Sequence, residues 1–254
     1  MRQSVDTLNA PAKLSLSRNQ LKYLVIAAMC IDHIAWAFVP TASLLGQGMH
    51  FIGRLTGPTM AYFIAEGYCY TRSVKKYALR LGIFALLSWP AFVYFEFGTL
   101  PVVIQDGAFK ILPYFGVLYT LLLSLLAVWL WDRGRCAPWL KYLGIIGLCA
   151  LSLVGDWPIF DILFALTFFC YRDKPMEKWV IFCTLSLLCC ISSMAQPWWT
   201  GLYLLGLFLV PPLIQFGYNG KSGSKKPLHK WFFYVFYPAH LLLLGVLRWV
   251  LFAS

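Results

Sequence analysis

From Leu21 almost to the C-terminus the chain repeats one pattern: a long apolar run, then a short break of turn-forming or charged residues. Most runs are long enough to cross a hydrocarbon core roughly 30 Å thick at about 1.5 Å of rise per residue, and several, the sixth above all, are short. The runs lie near 20–39, 51–70, 79–97, 111–131, 139–154, 157–171, 178–195, 199–216 and 231–252. With 60% of residues hydrophobic and only 12% charged, a water-soluble globule is excluded. The expected fold class is all-α, a polytopic integral membrane bundle of about nine transmembrane helices. It is expected to form one domain over 20–254 after a cytoplasmic segment, 1–19. The fifth and sixth runs are split only by Gly155-Asp156, which leaves a re-entrant hairpin as the alternative to two full spans.

The basic residues give the orientation. Lys and Arg gather in the N-terminal segment (Arg2, Lys13, Arg18, Lys22) and in alternate connections (Arg72, Lys75, Lys76, Arg80; Arg133, Arg135, Lys141; Arg172, Lys174, Lys178; Lys221, Lys225, Lys226, Lys230), and the intervening connections hold only Lys110. Such alternation predicts the N-terminus inside and the C-terminus outside. It also explains a net charge of +11 without nucleic acid, which is not expected as a partner; the lipid bilayer is. Tryptophans at the span ends (Trp131, Trp139, Trp157, Trp198, Trp199, Trp231) read first as interfacial anchors.

Other features read as inert. No cleavable secretory signal opens the chain. The eight cysteines show no disulfide or metal spacing, and all but Cys136 fall in apolar runs, where a thiol behaves as a small hydrophobe. The stretch Asn219–Pro227 (NGKSGSKKP) reads as a flexible cytoplasmic linker. Its Gly-Lys-Ser lacks the first glycine and the following soluble helix of a phosphate loop.

A charge at mid-membrane costs about 3 kcal/mol on insertion scales, so each intramembrane ionisable residue needs a reason. Asp32 and His33 fall roughly 20 Å from the inner end of the first span. Arg54 sits near the outer end of the second span and Glu66 near its inner end; Asp161 enters from outside, and His240 is near the middle of the ninth. Depth therefore groups Asp32, His33, Arg54, Asp161 and His240 in the outer half. Neighbours on a helix point about 100° apart, so Asp32 is expected to pair with Arg54 while His33 faces a cavity. The pair has two readings, a structural tie between helices or part of the chemistry. His33 suits proton transfer, whereas His240 is either a second functional histidine or a bond between helices. Glu66 and Asp161 lie near enough to the interfaces to be solvated. His50 and His229 lie in or beside loops and are assigned no role.

Three blocks carry a family resemblance: Leu21 to Ile34 (LKYLVIAAMCIDHI), Phe51 to Pro58 (FIGRLTGP) continuing to Glu66-Gly-Tyr, and Phe236 to Leu241 (FYPAHL) followed by Leu-Gly-Val-Leu. Their order and spacing resemble the TraX family, named for acetylation of F-type conjugative pilin, and more distantly the multi-span acyltransferase 3 group. Lys22 and His33 resemble a basic residue and histidine pairing of those acyltransferases, with Lys in place of Arg. The resemblance implies transfer of an acyl group, with acetyl-CoA as donor. The acceptor is an amine, such as a pilin or other peptide N-terminus, or a hydroxyl of an envelope glycan. The location implied is a bacterial cytoplasmic (inner) membrane, crossed several times. Expected catalytic residues are His33, Asp32, Arg54 and His240. Lys22, Arg72, Lys75, Lys76 and Arg80 are expected to hold the coenzyme phosphates, and Glu66, Tyr237 and Asp161 to contact substrate, with no metal. Transfer is either direct, with His33 as base, or relayed through an acyl-histidine. Two other classes compete: a proton-coupled transporter, and a non-catalytic assembly factor for a pilus or secretion machine.

Overall fold

The computed structural model describes residues 15–105, 108–192, 197–224 and 226–251. Of the basic residues used for orientation, Arg2, Lys13 and Lys225 lie outside the described residues, as do the ends of the seventh and ninth expected runs at Ala195 and Phe252. The chain folds as a helical membrane protein: among the described residues, five helices are long and apolar enough to cross a bilayer by length and composition. They are α1 (Arg18–Phe38), α4 (Val74–Phe97), α8 (Pro175–Ser192), the segment Trp198–Gly217 and the stretch Trp231–Val250. The last lies within α10 (Pro227–Val246) and its terminal π-turn. Between them run α2 (Leu44–Gly53), α3 (Thr56–Tyr70), α5 (Val117–Arg133), α6 (Pro138–Leu151) and α7 (Phe160–Cys170).

Three stretches depart from the expected layout. The second run is two helices, because Ser43 caps α2 through its side chain at Gly46 and starts a helix inside the expected outer loop. The break falls at Arg54–Leu55, between α2 and α3. Pro58 then sits in the first turn of α3, where a missing N–H leaves no bond unmade. The third connection carries a small antiparallel hairpin, β1 (Val102–Gln105) with β2 (Ala108–Ile111). The eighth run is a 3₁₀-helix over Trp198–Leu209, passing through a single α-turn, α9 (Val210–Pro212), into a π-turn. Between α6 and α7 the chain makes a tight turn in which Trp157 and Ile159 take positive φ.

Helices α3, α4, α5, α7, α8 and α10 supply the centre, where Phe95, Phe164, Phe182, Leu125 and Leu241 are fully enclosed. Helix α6 buries no residue and lies outside. In lipid the helices gain little from hydrophobic exclusion, so close approach of backbones matters more. A Cβ on Gly206 would lie 2.0 Å from the Phe51 carbonyl oxygen, and one on Gly116 would lie 2.2 Å from the Tyr237 hydroxyl. At the end of α4 the Phe95 carbonyl, beyond reach of its own helix, accepts from Arg248 and Trp249.

The basic connections meet at one end of the bundle. Arg18 bonds Glu66, Asn19 bonds the Ser224 carbonyl, Tyr68 bonds Asp132, and Arg72, Arg133 and Arg172 surround one shallow depression. The packing predicts that Gly206→Ala lowers stability by about 1–3 kcal/mol through overpacking. Gly147→Ala, whose Cβ meets nothing within 4 Å, should be neutral or stabilising by up to about 1 kcal/mol. Unfolding of the detergent-purified variants checks both.

Candidate functional site

Two cavities lie in line along the bundle. The larger, about 420 Å³, opens at the basic end between the start of α1, the end of α3 and the starts of α4 and α10. The smaller, about 190 Å³, is lined from the opposite ends of these helices by Asp32, His33, Arg54, Glu96, Asp156 and Trp157, among others. Met29, Thr56, Val117 and Tyr237 belong to the walls of both, so the cavities adjoin there. His33 lies fifteen residues beyond Arg18 on α1, roughly 22 Å along the axis.

Asp32 and His33 leave α1 in different directions, and the structure gives each its own set of partners. One Asp32 oxygen accepts from Arg54 Nη2, and the other accepts from His50 Nδ1 at 2.7 Å. Gly53 makes room for this carboxylate, since a Cβ there would lie 2.3 Å from Asp32 Cβ. Arg54 is held between two aromatic faces, Trp157 at 4.8 Å and Tyr203 at 5.1 Å. His50, placed in a loop and given no role from sequence, is on α2 with no exposed surface, packed on Trp36 with ring centroids 4.3 Å apart. Two signals were present: the Ser43 cap, and the spacing of four that puts His50 one turn before Arg54.

His33 turns to α10. Its Nδ1 is 2.8 Å from His240 Nε2, while His240 Nδ1 is 3.0 Å from the Phe236 carbonyl. A carbonyl only accepts, so His240 Nδ1 carries a proton. In neutral His240 the Nε2 is then the acceptor, and His33 Nδ1 must donate to it. Neutral His33 is thereby left with its lone pair on Nε2. Phe95 meets the His33 ring edge-on, with centroids 5.5 Å apart. The pair of histidines thus fixes which nitrogen is basic, as a second partner does for a catalytic or metal-bound imidazole.

Tyr237 stands at the junction of the two cavities. Its hydroxyl oxygen accepts from the Val117 backbone N–H at 3.0 Å, which leaves its own proton to donate. Asp156 and Glu96, neither assigned a role from sequence, add two carboxylates to the wall of the smaller cavity. Asp156 was hidden because it reads as half of a two-residue turn.

Other expected site residues lie elsewhere. Asp161 was expected to be solvated, yet it is fully buried, accepting from Thr120 at 2.8 Å with its Oδ1 unpartnered among the described residues. Helix α7 packs between α3 and α5, which closes its first turn to solvent and keeps Asp161 out of either cavity. Glu66 accepts from Arg18 and Tyr218, both at 2.7 Å, and joins α1, α3 and the segment before α10. The five expected phosphate-binding cations also separate. Lys22 and Arg80 line the larger cavity; Arg72 and Lys75 line the neighbouring depression; Lys76 lines neither.

The Asp32 cluster predicts a signature of buried charge. Removing one partner strands the other, so Asp32→Ala should destabilise by about 3–5 kcal/mol. Asp32→Ala combined with Arg54→Met should be less destabilised than Asp32→Ala alone, as read by denaturant or thermal unfolding in detergent.

The TraX protein family model matches residues 17–248. The chain is also 31% identical over 242 residues to a probable fimbrial assembly protein FimC, serogroup H1, of Dichelobacter nodosus, covering 91% of this chain and 95% of the relative. No solved structure matches. The match extends from the cap of α1, through the Asp32, His33 and Arg54 cluster, to the far end of α10. The chain therefore belongs to the TraX family.

Proposed function

We propose that this protein is a membrane acyltransferase serving pilus or fimbrial assembly. It would take an acetyl group from acetyl-CoA on the cytoplasmic side of the inner membrane and pass it to an amine at the outer half of the bundle. The observation that carries this reading is the chain of contacts from His33 through His240 to the Phe236 carbonyl, which for neutral rings leaves the lone pair of His33 on Nε2, on the wall of the smaller cavity. The proposal includes the nine-span arrangement with the N-terminus inside, which puts the mouth of the larger cavity in the cytoplasm.

In the proposed reaction the acceptor ammonium first gives one proton to the Asp156 or Glu96 carboxylate, and the free amine attacks the thioester carbonyl. A C–N bond forms, the C–S bond breaks, and the amine proton passes to His33 Nε2 and from there to the coenzyme thiolate. Tyr237 has a free donor for the developing oxyanion, and Arg54 supplies positive charge on the same wall. Asp156 and Glu96 favour an amine over a sugar hydroxyl, because two carboxylates attract a cationic N-terminus and give a neutral hydroxyl no comparable advantage. Direct transfer needs no group beyond these.

A non-catalytic role in assembly is the second reading, favoured by the relative's description as a fimbrial assembly protein. Incubation of purified protein with labelled acetyl-CoA and a peptide bearing a free N-terminus separates the two. Transfer is expected to fall by about 10²–10⁴ in His33→Ala, the range for a lost general base, and to a lesser extent in His240→Ala. Asp156→Asn should raise KM for the peptide more than it lowers kcat. Assembly of pili in cells carrying His33→Ala, with no acetylation by the wild-type protein, sinks the catalytic reading and leaves the structural one.

A further inference from the structure

Residues 219–224, the greater part of the expected flexible linker Asn219–Pro227, are laced onto the start of α1. Leu16 N–H donates to Gly217 O and Asn219 N–H to Leu16 O, both at 3.0 Å, and Arg18 N–H donates to Lys221 O at 2.8 Å. The Asn19 side chain donates to Ser224 O at 2.7 Å, and Asn219 donates to Ser15. Gly223, at φ 76°, passes so close to the helix cap that a Cβ would lie 2.8 Å from Ser17 Oγ. These bonds make one side of the larger cavity's mouth from Ser222, Ser224 and Lys226.

The charge around that mouth is one-sided. Arg18, Lys22, Arg80 and Lys226 line the cavity, and among the described residues no carboxylate does. Only Arg18 has a carboxylate partner, Glu66. The Lys22 ammonium lies between two apolar rings, 5.3 Å from Phe63 and 5.1 Å from Phe233, and Arg80 Nε is buried without a partner. Topology accounts for cations on the inner side. It does not account for three of them gathered around one opening, where the acid acting on Lys22 is Glu66, already bonded to Arg18, and Arg80 has the Tyr77 ring at 5.5 Å; a bound anion would balance this charge.

We propose that residues 219–224, together with Lys226, form a phosphate-binding lip. With Lys22, Arg80 and Lys226 it holds the phosphate esters of a nucleotide thioester, while the acyl-bearing arm descends the apolar throat past Met29 to Tyr237 and His33. The proposal rests on the acyl-donor reading above and assigns its anchoring group. It places the anchor on Lys226 and the loop serines, in place of Arg72, Lys75 and Lys76. A phosphodiester lipid headgroup offers related chemistry, and the test separates the two sources.

Binding is measured by calorimetry on the full-length protein in phosphatidylcholine nanodiscs, and again with phosphatidylglycerol added. Coenzyme A is expected to bind, adenosine 3′,5′-bisphosphate to compete with it, and pantetheine to fail at the same concentration. Arg80→Ala and Lys226→Ala should each weaken coenzyme A about tenfold or more, as for a lost charge-assisted contact, with Arg80→Lys recovering part of the loss. Lys174→Ala, on the same side but outside the cavity, should stay within about twofold. Gly223→Val, which lifts the lip, should raise KM for the donor by a larger factor than it lowers kcat. Wild-type affinity in both Arg80→Ala and Lys226→Ala overturns the proposal. So does an equal loss in Lys174→Ala, or displacement by phosphatidylglycerol without competition by the bisphosphate. Coenzyme binding with this residue dependence but no acyl transfer sinks the transfer reading and keeps the lip. Transfer that needs His33 but neither Arg80 nor Lys226 does the reverse, and no coenzyme binding at all sinks both.

Discussion

The Asp32 carboxylate is the fixed point of this bundle. A charge in a helical membrane interior is tolerated only when paired and hydrogen-bonded, and Asp32 has Arg54 on one oxygen and His50 on the other. Those two partners come from α2 and its junction with α3. The requirement to neutralise one side chain of α1 therefore sets where the second run breaks and how closely Gly53 approaches. Arg54 extends the tie outward through the rings of Trp157 and Tyr203, which brings in the turn before α7 and the 3₁₀ segment. Four separate parts of the chain are thus placed by one carboxylate.

With Asp32 fixed, the direction of His33 follows, because adjacent residues of a helix diverge by about 100°. The imidazole can only turn toward α4 and α10, where it finds Phe95 and His240. Its tautomer is then decided two hydrogen bonds away, by the Phe236 carbonyl. A carboxylate in the position of His240 would also orient the ring, but would add a further charge to a water-poor interior. A neutral histidine orients the ring without adding charge, which suits a group that must accept and return a proton within one cycle.

Much of this was legible in the residues. The apolar runs and their breaks foretold helices, since length and composition leave a bilayer-crossing chain little choice. Depth along those helices brought Asp32, His33, Arg54 and His240 to one level, because axial rise is nearly invariant. What depth does not encode is rotation and lateral neighbours. Asp161 is at a suitable depth but faces Thr120 on α5. Glu66 is spent on Arg18 and Tyr218. His50 was lost for a different reason: the boundary was drawn by hydropathy, and a polar side chain near a span end reads as loop unless its cap is weighed. The loop after Gly217 was misread because its order comes from bonds to residues some two hundred positions earlier, to which local glycine content is blind.

The two cavities also differ in charge, and the difference has a direction. At the basic end, cations line the mouth with no acid among the described lining residues; on the smaller cavity's wall, Asp156 and Glu96 join Asp32. An anionic ligand is therefore favoured at one end and a cationic group at the other, with His33 and Tyr237 between. A transporter carrying one solute through both chambers would meet opposite preferences along a single path. A two-substrate reaction meets each preference once, with the anionic donor held at the mouth and the amine at the far wall. The gradient of charge along the bundle thus favours exchange of a group between two ligands over passage of either.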